Sequence, residues 1–141
     1  MSGTIRTFDE EMRQEIQRRI KTTAEMIALS ADARAEVMIG QNGTSVTVNH
    51  PGLTQAMAPT LSRVAGAENV SVGSKRTNSD DAAEFQKAVP GLYFFVGITP
   101  PDIDVTTAEL NHSPRFYVDE SGLLLGVRAL AHLTVDYMAH K

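Results

Sequence analysis

Cysteine is absent from all 141 residues, so disulfides and thiolate metal sites are excluded and the redox compartment is not indicated. No run of about 18 apolar residues occurs, and a membrane-spanning helix is therefore not predicted. The chain has 13 basic against 17 acidic side chains and no basic stripe, which excludes a nucleic-acid surface. The N-terminus lacks the apolar stretch of a signal peptide and is expected to lie in, or just before, a β-strand.

Two helices are predicted in the first half of the chain. Apolar residues recur at steps of three and four over residues 12–27, and Asp9 precedes them as a suitable N-cap. Pro51 occupies a favoured first helical position ahead of a second apolar stripe over residues 53–64. Pro59 lies inside this stripe and predicts a kink or a break there.

Strands are predicted around these helices. Residues 35–39 and 46–48 alternate between apolar and polar side chains, and Asn42-Gly43 between them favours a tight hairpin. A first strand near the N-terminus and a fourth at residues 70–72 complete the order strand, helix, strand, strand, helix, strand. This order predicts a ferredoxin-like fold, in which a four-stranded antiparallel sheet carries two helices on one face.

The second half differs in character. A polar, irregular stretch after residue 72 predicts a boundary between a domain of residues 1–72 and a segment of residues 73–141. Ser79 is expected to cap a short helix, and a last helix should begin near Asp119. Residues 92–98 are apolar without alternation, which is typical of a strand buried on both faces, and their aromatic side chains are expected in the core.

Three motifs, in this order, carry a family resemblance. They are Gly-Thr-Ile-Arg-Thr-Phe at 3–8, Ser-Asp-Asp at 79–81 with Phe-Gln-Lys-Ala-Val-Pro-Gly-Leu-Tyr-Phe-Phe at 85–95, and Asn-His-Ser-Pro-Arg-Phe at 111–116. Together they resemble the metallopeptidase family of aminoacylases, hippurate hydrolases, carboxypeptidase G and the plant auxin-conjugate amidohydrolases. The matching parts are the start of the lid or dimerisation domain, the return into the catalytic domain, and the motif before the final helix.

The resemblance implies a fold, an activity and partners. Residues 1–72 would be the lid of a two-metal amidohydrolase and residues 73–141 a remnant of its α/β catalytic domain. The implied reaction is metal-dependent hydrolysis of the amide bond of an N-acyl amino acid or a similar conjugate, with zinc, manganese or cobalt as the divalent metal. A homodimer through the lid is expected, and neither nucleic acid nor membrane is an expected partner. The compartment is not determined, although the cytoplasm is favoured.

The resemblance also implies roles for individual residues. His112 would bind one metal through a neutral imidazole nitrogen. Asn49 would face the substrate from the lid, or else serve as a turn or cap residue. Arg115 would meet a substrate carboxylate, or else form a structural ion pair. Asp80 and Asp81 would orient a metal ligand, or else complement the dipole of the helix that they begin.

Two departures from the family pattern bear on these expectations. Asp80-Asp81-Ala82 stands where the family has Glu-Asp-Phe, and His50 stands where related sequences have aspartate, a better helix cap. The family's other metal ligands and its catalytic glutamate lie upstream of the lid, where this sequence has nothing. We therefore expect no catalytic residue, no tight metal binding and no turnover in the isolated chain. A stand-alone dimerisation or small-molecule-binding module is the alternative function, and a truncated gene product or an expression fragment is a third possibility.

Overall fold

A computed structural model describes residues 1–40 and 43–139. Its elements are α1 (Glu10–Ser30), α2 (Pro51–Ala65), a 3₁₀-helix (Ala67–Asn69), α3 (Ala82–Gln86) and α4 (Ser121–Ala139). The described chain forms two compact units, the first from Met1–Asn49 with Ser74–Gly91 and the second from His50–Gly73 with Leu92–Lys141. The domain boundary predicted after residue 72 stays a prediction.

The predicted ferredoxin-like sheet is wrong. None of the residues in the described ranges 1–40 and 43–139 belongs to a β-strand, and residues 35–39 and 46–48 are not paired. An alternating sequence fits a pleated surface but becomes a strand only when a partner accepts its backbone hydrogen bonds. Here the Ser45 and Val48 amides donate instead to side chains of α3. Asn42 in the predicted hairpin turn lies outside the described residues.

The predicted first helix is confirmed. Asp9 is its N-cap, and its carboxylate accepts from the Met12 amide at 3.0 Å. On the exposed face, Glu15 pairs with Arg18 and Arg19, and these hydrogen bonds lower the pKa of Glu15 to about 2. The apolar stripe has no sheet to cover it, so α1 contains no buried residue.

The predicted second helix is confirmed as well. Pro51 is its first residue, and the His50 imidazole caps it by accepting from the Leu53 amide at 3.2 Å. Of the kink or break predicted at Pro59, the break is wrong, because α2 continues through it to Ala65, and the kink stays a prediction. Proline costs the helix one N–H donor there, but the helix retains its other bonds. Gly66 ends the helix at φ 89°, a value that glycine adopts without a Cβ penalty.

The second unit contains most of the core. Helix α2 packs against α4, and the side chains buried between them are few: Met57, Thr60, Val64 and Ala129. Thr60 also donates to the Asp136 carboxylate, which accepts from Arg63 too. The Thr60 bond is the main cause of the lowered pKa of Asp136. These two bonds join α2 to α4 at their polar edge.

Residues 92–98 run beside the start of α4 without forming the predicted strand. The Asp119 amide donates to the Ile98 carbonyl at 2.9 Å, and a Cβ on Gly122 would lie 3.0 Å from the Ile98 side chain. The predicted burial of this segment on both faces is also wrong. Phe95 is 62% exposed, and Tyr93 and Phe94 are half-buried rather than core. The apolar sequence is present, but nothing in the described chain covers it on two sides.

Two further helices are present as predicted, but their first residues differ from the predicted ones. The short helix α3 begins at Ala82 with Asp81 as its N-cap position, whereas Ser79 was predicted to cap it. The last helix begins at Ser121, close to the predicted start, and the Asp119 carboxylate accepts from the Ser121 amide at 2.9 Å. Within the described residues, no helix is both long and apolar enough to cross a membrane.

Candidate functional site

The Asn-His-Ser-Pro motif of the sequence forms a turn in the second unit. The Ser113 amide donates to the Leu110 carbonyl at 3.1 Å, which closes a four-residue turn around Asn111 and His112. His112 has φ 72°, in the left-handed region that side-chain-bearing residues seldom adopt. The residue is exposed, and its imidazole has no hydrogen bond within the described chain. The imidazole on this turn is therefore exposed and available to bind a ligand.

A carboxylate that the sequence argument did not single out holds this turn. Glu109 accepts from the Ser113 hydroxyl at 2.9 Å and forms an ion pair with Arg115. The Ser113 oxygen in turn accepts from the Arg115 amide at 3.2 Å. The three side chains thus bracket His112 from both sides in the sequence.

Arg115 is engaged in this bracket. Of the two roles left open for it, substrate contact and structural ion pair, the structure places its guanidinium on Glu109. Its side chain remains 80% exposed, so one face of the guanidinium is still open to solvent. A role in meeting a substrate carboxylate stays a prediction.

Three other predicted site residues lie in the first unit. The Asp80 carboxylate accepts from the Ala82 amide at 2.9 Å at the start of α3, while Asp81 makes no capping bond there. The Asn49 amide oxygen accepts from Gln86 at 3.4 Å. Helix α3 therefore brings Asn49 and the two aspartates to one small element, and their roles toward a metal or a substrate stay predictions.

Helix α3 also organises the segment that was predicted to be a strand. The Glu84 carboxylate accepts from the Ser45 amide and pairs with Lys87, and the Gln86 amide oxygen accepts from the Val48 amide. The Lys87 and Ser45 bonds lower the pKa of Glu84 to about 2, with Lys87 the larger cause. No sequence pattern predicts these contacts, because the partners lie 38 and 39 residues apart.

The residues present do not make a metal site on their own. Among the described residues, no group of three or more histidine, aspartate or glutamate side chains is placed to hold a metal ion. His112 stands alone on its turn, since the nearby Glu109 is occupied by Ser113 and Arg115. The donor set in the described chain therefore does not fit the two-metal centre that the resemblance implies, which needs several ligands around each ion.

Comparison with known proteins agrees with the family resemblance. A 32% identical relative is N-acetyldiaminopimelate deacetylase of Enterococcus faecalis (strain ATCC 700802 / V583), over 93% of this chain and 32% of the relative. Thermostable carboxypeptidase 2 of Saccharolobus solfataricus (strain ATCC 35092 / DSM 1617 / JCM 11322 / P2) is 30% identical over 97% of this chain and 34% of its own length. A Bacillus subtilis (strain 168) protein with the provisional name amidohydrolase YhaA is 28% identical over 96% of this chain and 33% of its own. No solved structure gives a significant match.

The matches cover nearly all of this chain but only part of each relative. The chain spans about a third of the length of the curated relatives that it matches. The sequence profile described as "Peptidase family M20/M25/M40" matches residues 5–136, nearly the whole chain. The chain therefore belongs to peptidase family M20/M25/M40.

Proposed function

We propose that this chain supplies one part of a hydrolase that cleaves the amide bond of N-acyl amino acids or similar conjugates, and that the isolated chain is inactive. The observation that carries the proposal is the family match over residues 5–136. A deacetylase and a carboxypeptidase are among the relatives, and both reactions break an amide bond next to an amino acid. The common chemistry is attack of an activated water on that carbonyl with a proton passed to the leaving amine.

The roles of this chain's residues follow from what each can do. Members of the family are generally metal-dependent, which supports a divalent metal in the complete enzyme, and we propose zinc, manganese or cobalt for it. His112 would contribute one imidazole, while the groups that activate water come from outside the described residues. Arg115 and Asn49 would contact substrate through a charged and a neutral polar group, respectively. The chain's own task is then to present these side chains, and not to start the reaction.

A chimera tests the proposal with a positive result. We would replace the matching third of Saccharolobus solfataricus thermostable carboxypeptidase 2 with this chain and assay N-acetyl, N-benzoyl and indole-acyl amino acids with zinc, manganese or cobalt. We expect metal-dependent turnover in the chimera. In the same background, His112→Ala should abolish turnover and lower the bound metal while the helical circular dichroism stays unchanged. His132→Gln, which alters another histidine of the same unit, is the matched control and should leave both unchanged.

Three outcomes would contradict the proposal. A folded, metal-loaded chimera that hydrolyses none of these amides would remove the assigned reaction. Undiminished metal content and turnover in the His112→Ala chimera would remove the role of His112. The isolated chain is assayed in parallel, and turnover that depends on metal and disappears on chelation would show that it is catalytic by itself.

A further inference from the structure

His112 occupies a backbone conformation that it would not choose unaided. A non-glycine residue in the left-handed region is disfavoured because its Cβ crowds the following carbonyl oxygen, and it persists only where the surrounding structure enforces it. Among the described residues only Asp32 and His112 combine a side chain with positive φ. Some neighbouring interaction must therefore offset the cost at His112.

Within the part of the chain that the structure describes, the side-chain contacts in a position to do so are those that bracket the turn. Glu109 lies one residue before the turn, Ser113 ends it, and Arg115 follows it. Ser113 and Arg115 both contact the Glu109 carboxylate, and the Ser113 hydroxyl also accepts a hydrogen bond from the Arg115 amide. These three interactions close a loop around His112. An exposed ion pair alone would contribute little, but Ser113 is half-buried and ties the carboxylate to the backbone.

We propose that Glu109 is a positioning residue, which holds His112 in its left-handed conformation through Ser113 and Arg115 and so sets the direction of the imidazole. The functional meaning rests on the proposed function, in which His112 is a site residue. The structural claim stands on the contacts alone. Without the carboxylate, Ser113 and Arg115 lose their common acceptor, and His112 is free to return to negative φ.

Nuclear magnetic resonance of the full chain reads this conformation directly. A residue with positive φ has its amide and Hα protons unusually close, which gives a strong intraresidue cross-peak between them. We expect Glu109→Ala to lose this strong cross-peak at His112 and to shift the imidazole resonances. Glu109→Gln keeps an oxygen that can accept from Ser113 and Arg115, and should retain the cross-peak at least in part.

The control is Glu120→Ala. Glu120 is an exposed carboxylate of the same unit, and its side chain makes no hydrogen bond or ion pair with the described chain. This variant should leave the His112 cross-peak and imidazole resonances unchanged. A retained cross-peak in Glu109→Ala would overturn the proposal, and so would an equal loss in Glu120→Ala, because that would indicate general loosening of the unit.

A second measurement covers the case in which Glu109→Ala unfolds the second unit. Glycine adopts positive φ freely. In a His112→Gly background the bracket therefore has no disfavoured backbone conformation to stabilise. We expect Glu109→Ala to lower the thermal midpoint much less in that background than in the unaltered chain. Equal decreases in both backgrounds would overturn the proposal. Neither measurement uses metal or substrate. Failure of the proposed function in the chimera and failure of the proposed role of Glu109 are therefore distinguishable.

Discussion

At the scale of single residues, His50 shows how a side chain can serve an unexpected role. Aspartate is the stronger cap at such a position, and from the sequence histidine is expected to be a poor substitute. The structure nevertheless uses the His50 Nδ1 as an acceptor for the Leu53 amide. The neutral imidazole can do this because one of its nitrogens keeps a free lone pair. Helix α2 is thus capped by an imidazole nitrogen in place of the more common carboxylate or hydroxyl oxygen.

We expect His50→Ala to lower the free energy of unfolding of the second unit by about 1 kcal/mol, the usual cost of losing an N-cap acceptor. His50→Asp should restore or exceed the original stability, because a carboxylate accepts the same amide and complements the helix dipole. Chemical denaturation followed by circular dichroism measures both variants. A His50→Ala variant as stable as the parent would show that the cap contributes nothing.

The site shows the same contrast between a motif and its support. The order of residues at 111–116 was enough to single out His112, but Glu109 and its contacts were missed. The motif singles out His112 from the order of residues alone, whereas the contacts of Glu109 with Ser113 and Arg115 are visible only once the turn is built. Histidine is among the residues enriched at positive φ, but its presence alone does not predict that conformation, so the bracket had no sequence signal beyond a nearby acid and a nearby arginine.

At the scale of elements, the sequence predicted helices well and strands badly. A helix is stabilised by bonds within one segment, so Asp9 and Pro51, with the apolar spacing that follows each of them, already carry the signals. A strand depends on a partner elsewhere in the chain. Residues 46–48 have the alternation of a strand, but the amides of Val48 and of the preceding Ser45 donate to side chains of α3. The alternation of apolar and polar side chains does not predict which groups accept the backbone hydrogen bonds of the segment.

The contact between α3 and Ser45 should depend on pH. Its acceptor Glu84 has a pKa lowered from 4.5 to about 2 by Lys87 and Ser45, so the folded state favours the charged form. The stabilisation is therefore fully present above pH 4.5 and is lost as pH falls from there through about 2. We expect the Ser45 amide to lose its hydrogen-bonded chemical shift and exchange protection over this window.

A local measurement is needed because Glu15 titrates in the same range and would alter global stability too. Glu84→Gln is the matched variant, since it keeps an acceptor oxygen but has no carboxyl proton to bind. In it, the Ser45 amide should show no transition between pH 4.5 and about 2. A transition of the same size in Glu84→Gln, or none in the parent chain, would contradict the assignment.

At the scale of the whole molecule, the chain buries little. Its accessible surface is 11535 Å², whereas a compact protein of 15.3 kDa exposes about 7,100 Å². Even two separate globules of half that mass would together expose about 8,600 Å² by the same scaling. The chain therefore exposes more surface than expected, whether it is treated as one globule or as two separate ones. Much of it is apolar, with Leu124, Val127 and Met138 of α4 each exposed by 65% or more.

Apolar surface on this scale favours association, and we expect the isolated chain to form a dimer or larger species at micromolar concentration. Removing such side chains from water contributes about 25 cal/mol per Å² before the cost of association, so a few exposed leucines and methionines are enough to matter. Light scattering should show a mass that rises with concentration. Leu124→Glu should lower it, while Ser71→Glu adds the same charge at an exposed polar position and should not. A clean monomer across this concentration range would show that the exposed side chains remain solvated singly, and the association expected from the sequence would then be wrong.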